Sequence, residues 1–339
     1  MFTVITEENP DVRPTSGGRV SAMFGQQIRD VEPLVDFARV CETQDVRLWL
    51  GQSFMIESHA ALAAVAGRGV SVETGIGVAL APLRTPADAF TQASSVASLM
   101  GRSISVGYGM GSADFASRLL GREFTAPAKY MGSYVEQVQT LKHASENAPE
   151  SEGWLPESKA VEVGCGVLRP RMAREAGHVA DFAITWLTPP DYIASTITDA
   201  LATGAAKTAR KRPRLVSVVQ CAVARQDRQP ARLAMISCGQ HIRTPHYSDM
   251  LRRAGVELTG DLRSDLRSVV GAGLFAYGSV AEIAEVVNSY WRMGVDEVVV
   301  NVGSVGLEHG PTAALHDMEE ILEAVAESRT EEFASTGSR

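Results

Sequence analysis

Residues 103–112 read Ser103-Ile104-Ser105-Val106-Gly107-Tyr108-Gly109-Met110-Gly111-Ser112. Ser103–Met110 is a short β-branched run that closes on glycines, without clean alternation of apolar and polar residues. Such a run fits a strand buried on both faces, as in a parallel sheet. Seven other segments share its character: Arg19–Gly25, Val46–Gly51, Ser71–Leu80, Ala160–Val167, Phe182–Leu187, Leu215–Ala224 and Glu297–Gly303. Helical stretches separate them. Val31–Gln44 carries Leu34, Val35, Phe37, Ala38 and Cys41 on one face, and Ala89–Leu99 and Tyr130–Leu141 repeat the helical spacing. Thr85-Pro86-Ala87-Asp88, Thr188-Pro189-Pro190-Asp191 and Ser279-Val280-Ala281-Glu282 each set a capping hydroxyl ahead of a first-turn acid.

Strands alternating with helices in this number predict an α/β fold, a (β/α)8 TIM barrel built as one domain over residues 1–339. Function would gather at the C-terminal strand ends. A doubly wound open sheet is the competing topology, and the strand count favours the barrel.

Two segments break the rhythm. Residues 225–277 are too long for an ordinary barrel connection and hold eight arginines against five acids. They read as a helical insertion after the seventh strand, over the barrel mouth, either solvated or serving as a lid for an anionic or peptidic ligand. Ala144–Lys159 reads as a polar acidic loop, and residues 328–339 as a disordered tail with little to bury.

The net charge of −8 disfavours nucleic acid, whose binding rests on neutralising phosphates, and there is no polybasic patch for a membrane surface. No apolar stretch approaches the roughly 20 residues of a membrane span. Met1–Pro14 lacks the apolar centre of a secretory signal. The cysteines Cys41, Cys165, Cys221 and Cys238 form no Cys-x-x-Cys pair and read as core residues, so a reducing cytoplasm is expected. No histidines show metal-ligand spacing; His241 and His246 are separated by Pro245. Gly51-Gln52-Ser53-Phe54 is not a nucleophile elbow. With neither a metal nor a nucleophile in view, an organic cofactor is expected to carry the chemistry.

Three glycine-bearing strand ends are candidates for it. Gly107 to Ser112 lacks the spacing of a dinucleotide fingerprint but suits close approach to a flat ligand, or simple packing. Gly75-Ile76-Gly77-Val78 suggests a bulge or a kink. Around Gly164-Cys165-Gly166-Val167-Leu168-Arg169-Pro170-Arg171 a helix begins, and its free amides beside Arg169 and Arg171 read as an anion site or as an ordinary helix start.

Taken in order, several motifs resemble the luciferase-like flavin and deazaflavin oxidoreductase superfamily over about residues 19–327. They are Asp45–Leu50, Glu73–Val78 through Arg84-Thr85-Pro86, Gly101–Gly111, Arg169–Gly177 with Ala180-Asp181, and Tyr277–Val280 through Gly294–Glu297. The resemblance implies a (β/α)8 barrel with a long insertion after the seventh strand. Its members use coenzyme F420 as a hydride carrier, or reduced flavin mononucleotide (FMN) with oxygen. It implies a cofactor in the barrel mouth near Gly77, Val78, Gly109, Gly111 and Ser112, with Gly77-Val78 a non-prolyl cis peptide in a bulge. The phosphate would lie by Gly166, Val167, Leu168 and Arg169.

Deazaflavin-dependent alcohol and sugar dehydrogenases of that family carry an acid or histidine after the second strand and often a glutamate after the fourth. Here Gln52, Ser53 and Ser112 stand there. That departure argues against alcohol oxidation, which needs a base, and for reduction. Gln52, Ser53 and Tyr108, with Gln26, are the candidates to orient a substrate carbonyl or amide; Asp114 and His59 are candidate proton donors. Leu48-Trp49-Leu50-Gly51-Gln52-Ser53 resembles the subgroup that reduces dehydroamino acids in modified peptides. The resulting expectation is an F420-dependent reductase of a polarised double bond in natural-product biosynthesis. The alternatives are an FMN-dependent monooxygenase and a non-catalytic cofactor-binding homologue. The candidate partners are a small-molecule or peptide substrate and a second copy of the chain.

Overall fold

A computed structural model describes residues 18–121, 123, 125–147 and 160–336. Among the described residues there are nine parallel strands: β1 (Arg19–Phe24), β2 (Leu48–Leu50), β3 (Thr74–Leu80), β4 (Ile104–Gly109), β5 (Val161–Gly166), β6 (Phe182–Trp186), β7 (Arg214–Val223), β8 (Phe275–Gly278) and β9 (Glu297–Asn301). β1 to β7 pair in sequence; β7 then pairs with β9 and β9 with β1. This closes an eight-stranded (β/α)8 barrel and excludes the open doubly wound sheet.

The barrel strands are the expected ones, trimmed at their ends except that β7 begins one residue earlier, at Arg214. β8 is new: it pairs with Gln220–Val223, the upper part of β7, where that long strand outruns β9. Four residues are too few to display a strand pattern. The insertion is helical, with helices Pro230–Ile242, Pro245–Arg253 and Leu262–Gly271. Part of its arginine excess faces the barrel's last helices rather than a ligand. Arg225 and Arg228 both bind Asp317, and Arg232 binds Glu308.

The local signals have physical counterparts. The Thr85 hydroxyl accepts from the Asp88 amide at 3.2 Å, and Ser279 with Glu282 forms a capping box. Thr188 departs from expectation: its hydroxyl donates to the Trp186 carbonyl at 3.1 Å, and no side chain caps the turn that starts at Pro190. Residues 144–147 close helix Pro127–Asn147 instead of opening a loop, and 148–159 lie outside the described residues. Helix Pro311–Thr336 runs through most of the segment expected to be a disordered tail. Met1–Pro14 and residues 337–339 also lie outside the described residues. All four cysteines are free and buried. Among the described residues, no helix is long and apolar enough to cross a membrane.

Inside the barrel sit Met23, Trp49, Phe182, Ile184, Val216, Val218 and Val299; a second apolar layer lies between strands and helices. Trp49 and Phe182 meet edge to face at 5.8 Å. Two strand glycines exist to admit these rings. A Cβ on Gly75 would stand 2.4 Å from the Trp49 ring, and one on Gly164 would stand 2.4 Å from Phe182. For these glycines packing, not ligand approach, is the reason.

Candidate active site at the barrel mouth

The barrel floor is a closed network of charges. Glu297 is fully buried and accepts from Ser21 at 2.6 Å, Trp49 Nε1 at 2.8 Å and Arg47 at 2.8 Å, with Arg214 alongside. Arg214 also reaches Glu162 at 2.6 Å. Burial alone would raise the Glu297 carboxyl, but Arg47, Arg214 and the Ser21 and Trp49 bonds hold it below the ordinary carboxylate range. The network seals the lower end and anchors the indole of Trp49. The functional opening is therefore at the other end, where the strands finish.

Strand alternation decides which side chains look into that opening. On β4, Ile104, Val106 and Tyr108 pack outward against the helices, so Ser105, Gly107 and Gly109 face inward. β3 carries the expected bulge: the register with β4 shifts between Gly77 and Ala79, and the Gly77-Val78 peptide is cis. The Val78 side chain lies between two glycines. A Cβ on Gly109 would stand 2.7 Å from Val78 Cγ2, and one on Gly166 would stand 2.9 Å from Val78 Cγ1. Gly77, Val78, Gly109 and Gly166 thus come together on the β3–β5 side of the mouth, with the Val78 side chain packed over the two glycines.

Other expected site residues are engaged elsewhere. Tyr108 is fully buried on the outer face of β4. Its hydroxyl donates to the Ala89 carbonyl at 3.2 Å, and its ring lies 5.4 Å from Tyr134. It does not reach the mouth. Gln52 accepts from the Leu80 amide at 3.0 Å and donates to the Ser53 carbonyl at 2.9 Å. The Ser53 hydroxyl accepts from the Ile28 and Met55 amides, both at 3.3 Å. These two residues fasten the β1, β2 and β3 loops to one another. Ser112 caps helix Ala113–Leu120 through the Phe115 amide at 3.1 Å, and Gly111 before it takes a left-handed turn with φ +68°.

Of the proton-donor candidates, Asp114 is engaged and His59 is bonded through Nδ1 only, its Nε2 buried without a partner. Asp114 is exposed and pairs with Arg118 at 2.9 Å. His59 is buried against Glu57 at 2.9 Å, in a cluster that includes Arg84. Burial would raise Glu57, but His59, the Ala60 amide and Arg84 bring it down to about 2.

The segment read as an anion corner leads into helix Pro170–Val179. Val167 is buried, with its amide on the Ile184 carbonyl at 2.9 Å. Arg169 is the N-cap of helix Pro170–Val179 and supplies no side-chain cap, which leaves the first-turn amides unsatisfied. Its guanidinium pairs with Asp249 of the insertion at 3.1 Å, and Asp249 also binds Arg253. The Tyr192 hydroxyl, buried and without a partner, feels Arg253, Asp249 and Arg169.

Several mouth residues escaped the sequence reading. Trp186 and Gln220 continue the inward rows Phe182–Ile184 and Val216–Val218, and Trp186 Nε1 and Gln220 Nε2 are buried without hydrogen-bond partners. The insertion roofs Trp186: the His241 ring lies 5.4 Å from Trp186 and 5.1 Å from Tyr247. Burial holds the His241 imidazole below its ordinary value, hence neutral near pH 7. A glutamine within the apolar run Val218-Val219-Gln220-Cys221-Ala222-Val223 was the available signal for Gln220. A cleft of about 630 Å³ lined by Arg84, Tyr130, Ser133, Tyr134 and Gln137 lies outside the barrel wall, apart from these groups.

Residues 15–297 match the luciferase-like monooxygenase family. The chain belongs to that family. The luciferase-like assignment agrees with the barrel, the bulge in β3 and the insertion after β7. No curated protein matches the sequence. Among solved structures, an F420-dependent secondary alcohol dehydrogenase bound to an F420-acetone adduct shares the fold with a TM-score of 0.72 and 11% identity, over 91% of this chain and 99% of that one. The coenzyme F420-dependent tetrahydromethanopterin reductase from Methanopyrus kandleri gives 0.68 and 15%, over 91% and 99%. An EDTA monooxygenase from Chelativorans sp. BNC1 gives 0.69 and 12%, over 93% and 94%.

The residues of this luciferase-like chain fit a flat ring coenzyme bearing a phosphate. Val78 packed over Gly109 and Gly166 offers a surface to the ring, and the unpartnered Tyr192 hydroxyl accompanies the free amides at the start of helix Pro170–Val179.

Proposed function

We propose that the chain is a deazaflavin-dependent reductase that delivers hydride to a polarised double bond. The observation that carries this is the state of the positions after β2 and β4. Gln52, Ser53 and Ser112 are neutral and already bonded to backbone groups, so no base stands there to take a proton from an alcohol. The surface of Val78 over Gly109 and Gly166 supports a ring coenzyme, deazaflavin or flavin. Its structural neighbours include enzymes described as F420-dependent and others described as monooxygenases.

In this reading Val78, Gly109 and Gly166 hold one ring face, and the amides of Leu168 and Arg169 hold the phosphate. The coenzyme, when bound, supplies the hydride. The protein's task is to fix the acceptor against the ring and to exclude water beneath helices Pro230–Ile242 and Pro245–Arg253. The substrates in view are small conjugated molecules and dehydroamino acids in peptides.

The test is strictly anaerobic mixing with reduced F420 and a panel of enones, dehydroamino-acid peptides, imines and alcohols. Oxidation of the coenzyme by an unsaturated acceptor without oxygen is the expected result. Activity that requires oxygen and reduced FMN, or efficient oxidation of simple alcohols, would overturn it.

A further inference from the structure

Three features mark the β6–β7 side of the mouth. Trp186 and Gln220 point inward from adjacent strands; Trp186 is in register with Val218, and Gln220 is the next inward position above it. Trp186 Nε1 and Gln220 Nε2 have no hydrogen-bond partner, and Gln220 is only 1% exposed. The insertion covers Trp186, with the His241 ring at 5.4 Å and tilted 35° to the indole, and His241 Nδ1 is likewise buried without a partner. An indole nitrogen can only donate, and so can an amide nitrogen. Two buried donors left without acceptors are costly, and a native structure retains them where a ligand supplies the acceptor.

Resting on the reductase reading, we propose that Trp186 and Gln220 form a paired donor site for the carbonyl oxygen of the acceptor. The substrate class is then an α,β-unsaturated carbonyl compound. The indole and amide donors do not pair with the N–H of a protonated imine, whereas an enolate oxygen accepts from both.

The step balances as follows. Hydride from the reduced coenzyme bonds to the β-carbon, and the alkene pair moves to join the α-carbon to the carbonyl carbon. The carbonyl pair moves onto oxygen, which becomes the enolate held by the two N–H groups. Water then protonates the α-carbon, and the hydroxide it leaves takes up the proton that the coenzyme releases on oxidation. The substrate gains two electrons, and the coenzyme loses them. The stabilisation acts where charge develops, as donor pairs do in other enzymes.

The test uses holoprotein with oxidised F420 and p-nitrophenol, whose phenolate oxygen imitates the enolate. Binding is read from the visible phenolate band, and coenzyme affinity separately from its fluorescence. Wild type should favour the bound phenolate and lower the apparent pKa of the phenol. Trp186→Phe and Gln220→Leu should each weaken phenolate binding about tenfold, the scale of one hydrogen bond to a charged group, while coenzyme affinity stays within about twofold. Gln220→Glu, of nearly equal size, should abolish phenolate binding by placing like charge against it. Circular dichroism identifies folded variants.

Phenolate binding that is absent in wild type, or unchanged in folded variants, overturns the proposal. So does a loss of coenzyme affinity equal to the loss of phenolate affinity, which would assign the donors to the coenzyme. Failure of wild type to bind F420 or FMN at all is a different result: it overturns the reductase reading before any variant is made, and the donor site falls with it.

Discussion

Gly109→Ala tests whether the β3–β5 side of the mouth is a packed surface or empty space. The new methyl would stand 2.7 Å from Val78 Cγ2, roughly 0.8 Å inside an ordinary carbon contact of about 3.5 Å. Overpacking of this kind costs about 1–3 kcal/mol. Unfolding entropy of about 2.1 cal/mol/K per residue over 339 residues converts that to a melting shift of roughly 1.5–4 °C. Relief comes from moving Val78 into the mouth, so coenzyme affinity should drop by about tenfold or more even in folded protein. Val78→Ala removes the clashing methyl. In that background Gly109→Ala should cost less than about 0.5 kcal/mol, a coupling near 1–2 kcal/mol in a double-mutant cycle. The assay is thermal unfolding of the four proteins together with fluorescence titration of F420. Additive effects, with no rescue by Val78→Ala, would falsify the packing argument.

Three further outcomes are expected. Glu297→Ala strands Arg47 and Arg214 in the barrel floor and should destabilise by about 3–5 kcal/mol in urea unfolding at pH 7. Because the folded-state pKa of Glu297 lies below the unfolded value near 4.3, its contribution is complete above that pH and disappears as pH falls through the lower folded value; wild type should therefore lose stability more steeply than Glu297→Ala in acid. Tyr108→Phe removes only the bond to the Ala89 carbonyl, so turnover should not change and stability should fall by about 1 kcal/mol, whereas a large fall in kcat would return Tyr108 to the active site. Arg169→Glu puts negative charge beside the helix start and next to Asp249, and should weaken phosphate-bearing coenzyme about tenfold with the fold intact; equal affinity in the folded variant would place the phosphate elsewhere.

How far the sequence could be read follows from the range of the forces involved. The strand segments and the caps at Thr85 and Ser279 are set by neighbours a few residues apart, and they stand where expected. The bulge at Gly77-Val78 was legible from paired glycines together with the family resemblance. The short β8 had no pattern of its own and exists because β7 is long enough to offer it an edge.

The error over Tyr108 is of another kind. Tyr108 and Gly109 are adjacent on one strand, and adjacent strand residues face opposite sides. The glycines that admit Trp49 and Phe182 show which side is the interior, so a parity argument would have turned Tyr108 toward the helices. The same parity carries Phe182 and Ile184 up to Trp186, and Val216 and Val218 up to Gln220. What it does not supply is the roof. His241 comes over Trp186 only because the chain between β7 and β8 folds back across the mouth, a contact set by tertiary packing between residues distant in sequence. The glycine side of this site was therefore readable from a local pattern. Its donor side, where specificity for the acceptor is proposed to lie, became visible only after the strands were closed into a ring and the insertion was laid across them.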